Sequence, residues 1–270
     1  MPARNRLPEA NQLSLVTGII LLAYAVSQYL VVPTRPLGIQ LPFIYIPVDF
    51  QFRNLVYVTV AVLAAAGMDW IIEKHPAYSP DSRMQHWLLP ALTAWVIGIP
   101  LGSVEAGPAW WGVFLFGGAL MVGVLIAEYI TVDAGDPRST PAAVGLSVLA
   151  LVLFTLLAIS IRLSGARLYI VAFAIGIGGM LACLRVYHLR LGARWNVSWS
   201  FGVSLLLVQT ATGLHYLPVS PLQFGLLLAG LMYGLLLVTE DLIHGHFVPG
   251  DLLEPGIIFG LIVIFAVIIG

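Results

Sequence analysis

The chain has 270 residues, 60% of them hydrophobic and only 9% charged, with a mean hydropathy of +0.97 and a formal net charge of −1. Soluble domains carry roughly 25% charged residues, so this composition excludes a water-covered globule, and the charge balance excludes the basic field that nucleic acid requires. A single cysteine, Cys183, set inside an apolar run, excludes a disulfide framework and a site built from several thiolates.

A membrane-crossing helix needs roughly 20 apolar residues. Apolar runs broken by Pro, Gly and charge predict nine of them: Leu13–Val32, Asn54–Ile72, Met84–Val104, Pro108–Val132, Pro141–Leu163, Arg167–Arg190, Asn196–Tyr216, Pro221–Ile243 and Leu252–Gly270. Eight is the alternative count. The expected fold class is therefore all-α, a polytopic helix bundle forming one transmembrane domain over residues 1–270. The first run follows Arg4 and Arg6 and contains Ala23-Tyr24-Ala25, a small-residue pattern like a signal cleavage site after Ala25. Apolarity continuing to Val32 favours a retained helix instead.

Between the first two runs, residues 33–53 hold Pro33, Pro36, Pro42 and Pro47. That density forbids a continuous helix, while the apolarity is too high for a solvated linker. The segment is expected to cap the bundle at the interface or to re-enter it. Eight of the twelve basic residues (Arg4, Arg6, Lys74, Arg83, Arg138, Arg185, Arg190, Arg194) fall on the side of the N-terminus, and four (Arg35, Arg53, Arg162, Arg167) on the other. The positive-inside rule then predicts a cytoplasmic N-terminus. Few lysines, one cysteine and no organellar targeting pattern fit a bacterial cytoplasmic (inner) membrane.

The even-numbered runs end in charge: "MDWIIEKH", "AEYITVDAGDP", "LRVYHLR" and "TEDLIHGH". Asp69, Glu128, Arg185 and Asp241 recur every 56 to 59 residues, compatible with four decayed helical hairpins plus one helix. Small residues at spacings of four run along the same helices, as at Ala61 and Ala65, Ala119 and Gly123, Ala174 and Gly178, and Gly230 and Gly234, the pattern of close helix approach in lipid. Carboxylates at helix C-terminal ends are disfavoured by about 0.3–1 kcal/mol each. The economical resolution is one interfacial cluster in which Asp69, Glu73, Glu128, Glu240 and Asp241 surround the basic end of the sixth helix, Arg185 and His188, with His244 beside them.

His244, His246 and Asp241 are weak candidates for a divalent metal, because nothing fixes the backbone of a His-x-His loop. Interfacial water is expected to satisfy the histidines near helix ends, His75, His86 and His188 among them, so no haem or other cofactor is predicted. Trp87, Trp110, Trp111, Trp195 and Trp199 read as an interfacial belt. The bilayer centre holds no Lys, Arg, Asp or Glu; Gln28, Tyr57 and Gln209 are its candidate polar contacts, Gln209 being expected to bridge neighbouring helices.

No nucleophile elbow, zinc-protease motif or phosphate-cradling loop occurs. The function expected is that of a non-enzymatic membrane component or complex subunit, partnered by the lipid bilayer and other membrane proteins. Two alternatives stay open: a transporter or flippase for a neutral or lipidic solute, and a lipid-headgroup enzyme using the acidic cluster.

Overall fold

The computed structural model describes residues 7–29, 35–41, 44–50, 52–80, 83–192, 195–245 and 249–269. Nine α-helices lie among them: α1 Ala10–Tyr29, α2 Phe52–Ile72, α3 Leu88–Ser103, α4 Pro108–Ile130, α5 Ser139–Leu163, α6 Leu168–Arg190, α7 Val197–His215, α8 Pro221–His244 and α9 Leu253–Ile269. Seven are long and apolar enough to cross a membrane, so the chain is an α-helical membrane bundle; α3 and α9 are shorter. The third run opens not with α-helix but with a 3-10 turn, Met84–Trp87. A spanning segment must satisfy its own backbone, which is why uninterrupted apolar runs become helices. Loop chemistry ends them: Ser220 and Gln223 form a reciprocal cap at the start of α8, and Gly245 closes it with φ of 71°.

Between α1 and α2 the chain is a two-stranded antiparallel hairpin, β1 Arg35–Leu41 and β2 Ile44–Phe50, with Leu41 opposite Ile44 and Gly38 opposite Pro47. The prolines exclude helix as expected. Strand pairing is the feature proline content did not suggest; a two-stranded hairpin is all edge, where a missing N–H is tolerated.

Polar cross-links fix the threading. Lys74, just beyond α2, pairs with Glu9, just before α1, at 3.0 Å, and Arg190 at the end of α6 pairs with Glu240 near the end of α8 at 3.1 Å. These, with the ends of α4 and α6 described below, lie at one end of the bundle, here the near end. At the far end, Trp110 at the start of α4 donates from Nε1 to the Leu101 carbonyl of α3 (3.1 Å). There too Arg162 of α5 donates to the carbonyls of His215, the last residue of α7, and of Leu217 just beyond it, each at 3.0 Å. Trp110 is thus core and not a member of the expected belt, whereas Trp111 is exposed.

Two hydrophobic clusters form the interior. One joins α1 and α2 to one face of α3 and α4 through residues such as Ile20, Met68, Ile97 and Leu125. The other joins α5 to α8 with the opposite faces, through Leu92, Val124, Phe154, Ile175 and Leu228. α3 therefore lies between two half-bundles, buried on most sides. Close approach uses glycine selectively. A Cβ at Gly98 would stand 2.8 Å from the Tyr57 ring, and one at Gly225 would stand 2.4 Å from Ile159 and 3.1 Å from the Thr155 carbonyl. The expected stripe on α4 is not used in this way, since Gly123 faces open space while Gly117 and Gly118 meet Ile97 and Leu21.

Candidate functional site

The functional candidates begin with a carboxylate in an unfavourable place. Glu128 lies in the last turn of α4 and is fully buried, so ionisation there opposes both the helix dipole and the loss of water. Arg185, in the last two turns of α6 and also fully buried, resolves this. Its Nε donates to Glu128 Oε1 at 2.9 Å, and its Nη2 donates to Oε2 and, at 3.1 Å, to Thr131 Oγ1. The planar guanidinium fork matches the two carboxylate oxygens, the geometry in which such pairs are strongest.

His86, in the 3-10 turn before α3, completes the group: Nδ1 lies 2.9 Å from Glu128 Oε2, and the ring is buried. With Glu128 ionised, the proton belongs on Nδ1. The 3.4 Å approach of Arg185 Nη2 to the same nitrogen is then proximity between two donors and not a hydrogen bond. Three segments thus meet in one lock: α4 supplies the acid, α6 the base, and the turn into α3 the imidazole.

The lock leaves two buried nitrogens over. Arg185 Nη1 and His188 Nδ1 are both buried and have no hydrogen-bond partner among the described residues. Both residues line a cavity of about 550 Å³ that also touches His86, Thr131, Thr140 and Arg190. In front of it, the loop between α4 and α5 is held by Asp136, whose Oδ1 accepts from the Arg138 backbone N–H (2.8 Å) and Nε (3.1 Å), and whose Oδ2 accepts from Nη2 at 2.7 Å. The Arg138 side chain first, then its backbone N–H, hold the Asp136 carboxyl down at about 2.

The single cluster expected from the sequence is divided among separate places. Asp69 does not reach Arg185; it accepts from Trp87 Nε1 at 3.1 Å and lies 3.9 Å from Arg83 Nε, facing an apolar groove between α2, α3 and α6. Glu73 is exposed at the end of α2. Glu240 pairs with Arg190, one turn beyond Arg185. Asp241 is half-buried and pairs with none of the described residues, while His244 Nδ1 donates to the Glu240 carbonyl at 2.9 Å. His246 lies outside the described residues. No group of three or more His, Cys, Asp or Glu side chains gathers as metal ligands would among the described residues.

The candidate polar contacts of the bilayer centre also stand apart. Tyr57 is buried on α2, its ring centroid 6.4 Å from that of Tyr24. Gln28 is half-buried near the end of α1. Gln209 is exposed on the outer face of α7 and bonds none of the described residues, so it bridges no helices among them.

Sequence reasoning missed His86 and Thr131 as members of the lock. The signal for His86 was its position directly before an apolar run, in "MQHWLL", where an inward 3-10 turn buries Gln85 and His86 together. A model of the family described as "Protein of unknown function (DUF5656)" matches residues 32–269, thereby covering all the segments that build this site. No curated protein and no solved structure matches the chain.

Proposed function

Since the chain belongs to the DUF5656 family of proteins of unknown function, we propose its role from its own residues: a non-enzymatic, multi-pass membrane component that works as a subunit beside other membrane helices. The observation that carries this reading is Gln209. It stands in the thirteenth of nineteen positions of α7, roughly 9 Å from the helix end at about 1.5 Å per residue, and it faces outward without a partner among the described residues. An amide turned toward hydrocarbon without a hydrogen bond costs roughly 2–7 kcal/mol, and a polar group on a neighbouring helix relieves that cost.

The lock supports the same reading from inside. Glu128, Arg185 and His86 bond to one another, which spends the buried acid and base on structure and leaves neither as an obvious nucleophile or general base. The basic excess on the near end supports a cytoplasmic N-terminus in a bacterial inner membrane.

The experiment compares wild type with Gln209→Leu after extraction in a mild detergent, measuring the mass of the complex. Wild type is expected to run in an assembly larger than its own 29.1 kDa, and Gln209→Leu to shift a substantial part of it to the single chain. Equal mass for the two proteins would overturn the role of this helix face; a wild-type single chain would overturn the subunit reading altogether.

A further inference from the structure

Beyond the subunit role, and independently of it, we propose that the cavity beside the lock binds a phosphate-bearing anion, received head-first from the bilayer as the head group of an anionic lipid. The cavity lies at the near end, where the start of α5 and the ends of α4 and α6 come together. Its volume, about 550 Å³, falls within the roughly 300–1,000 Å³ of small-molecule sites.

Four observations converge on an anion. Two buried nitrogens at the lining, Arg185 Nη1 and His188 Nδ1, are without partners among the described residues. A guanidinium N–H left unmade in a protein interior is costly, so an acceptor belongs there. No Asp or Glu is among the lining residues, while Arg190, which also pairs with Glu240, is one of them. At the N-terminus of the 25-residue α5, Asp136 takes the N–H groups of Arg138 and Ser139 and Pro141 has none, so the Thr140 N–H alone is left at the positive end of the helix dipole beside this space. Glu128, behind Arg185, holds the guanidinium in place by two of its nitrogens and leaves the third without a partner among the described residues.

The walls give the anion an apolar continuation. From Ser139 and Thr140 the lining runs up α5 through Val144 to Val148, about 13 Å at the helical rise. Val144 and Val148 are themselves exposed on the outer surface, so the cavity is open sideways to lipid as well as at its polar end. Polar donors at one level and aliphatic wall above it match the order of groups in a phospholipid, phosphate before acyl chain.

The test uses the full-length chain in a non-ionic detergent, with binding read by native mass spectrometry and by the thermal midpoint. The probes are short-chain phosphatidylglycerol, the corresponding diacylglycerol, and inorganic phosphate. Phosphatidylglycerol is expected to bind and diacylglycerol not. His188→Ala, which breaks no bond to the described residues, and Ala143→Phe, which fills the cavity, should each weaken binding by about tenfold or more, the loss of one hydrogen bond to a charged group. Ala65→Phe, in the apolar groove on the other side of α3, should leave it unchanged.

Inorganic phosphate that competes with the lipid supports phosphate as the recognised group. Inorganic phosphate that binds while phosphatidylglycerol does not would assign the site to a free anion and overturn the lipid as its source. Equal binding of phosphatidylglycerol and diacylglycerol, or binding indifferent to His188→Ala, would overturn the proposal outright.

Discussion

Glu128 and Arg185 have no water to fall back on, and this governs what any change at either position does. With both side chains fully buried, removing one leaves the charge of the other without its counter-ion, at a cost of about 3–5 kcal/mol. Glu128→Gln and Arg185→Met are each expected to lower the unfolding free energy by about that amount. The double variant Glu128→Leu with Arg185→Met should recover most of the loss, since an apolar pair of similar volume replaces the ion pair without stranding a charge. Chemical unfolding in mixed micelles checks this; a double variant as unstable as the sum of the singles would contradict it.

Asp136 behaves differently because it is tied locally. Its carboxyl is held below the unfolded value of about 3.9. Its contribution is therefore fully present above that value and lost as pH falls through about 2. Hydrogen exchange at the Arg138 amide should stay equally protected from about pH 4 to about pH 8, and Asp136→Asn should weaken protection across that whole range. Loss of protection near neutral pH in wild type would show that the contact is not the one described.

At the scale of elements, helix pairs meet through glycines whose neighbours differ in how far they can yield. Gly178 of α6 faces only the tip of Leu157, whereas Gly225 of α8 faces the branched Ile159 and the fixed carbonyl of Thr155 on α5. Alanine at Gly178 is expected to be tolerated by rotation of Leu157. At Gly225 it should cost about 1–3 kcal/mol by forcing α5 and α8 apart. Thermal midpoints of the two variants should differ accordingly; equal midpoints would mean the α5–α8 contact is looser than the coordinates place it. α6 and α8 are fastened at the near end by Tyr187, which must donate to Thr239 because the Thr239 hydroxyl is already directed at the Leu235 carbonyl.

How much of this was legible in the sequence follows from what lipid imposes. Depth was readable: Glu128, Arg185 and Glu240 had to lie near helix ends, and the runs from Pro108 to Val132 and Arg167 to Arg190 match α4 and α6 within two residues. Rotation was not. A helix apolar on every side gives no stripe to say which face is inward. Glu128 and Asp69 therefore looked equivalent, although one is sealed against Arg185 and the other faces a groove beside Trp87. Gln209 and Gln28 were indistinguishable for the same reason. His86 was hidden by the opposite assumption, that polar groups at helix ends are wet.

Across the whole molecule, the lock has a position that no other polar group among the described residues shares. α1 and α2 form one half-bundle and α5 to α8 the other, with α3 and α4 between them. Glu128 belongs to α4, His86 leads into α3, and Arg185 belongs to the second half. The three residues thus rivet the second half to α3 and α4 at the near end. Unfolding followed separately in each half tests this most directly, with single fluorescent reporters at Trp70 on α2 and Trp199 on α7 in a background free of other tryptophans. In the otherwise unaltered lock the two reporters are expected to move through one coincident transition; with Arg185→Met they should separate into two. Coincident transitions that persist in Arg185→Met would contradict the account, since the halves would then be held as one by packing alone.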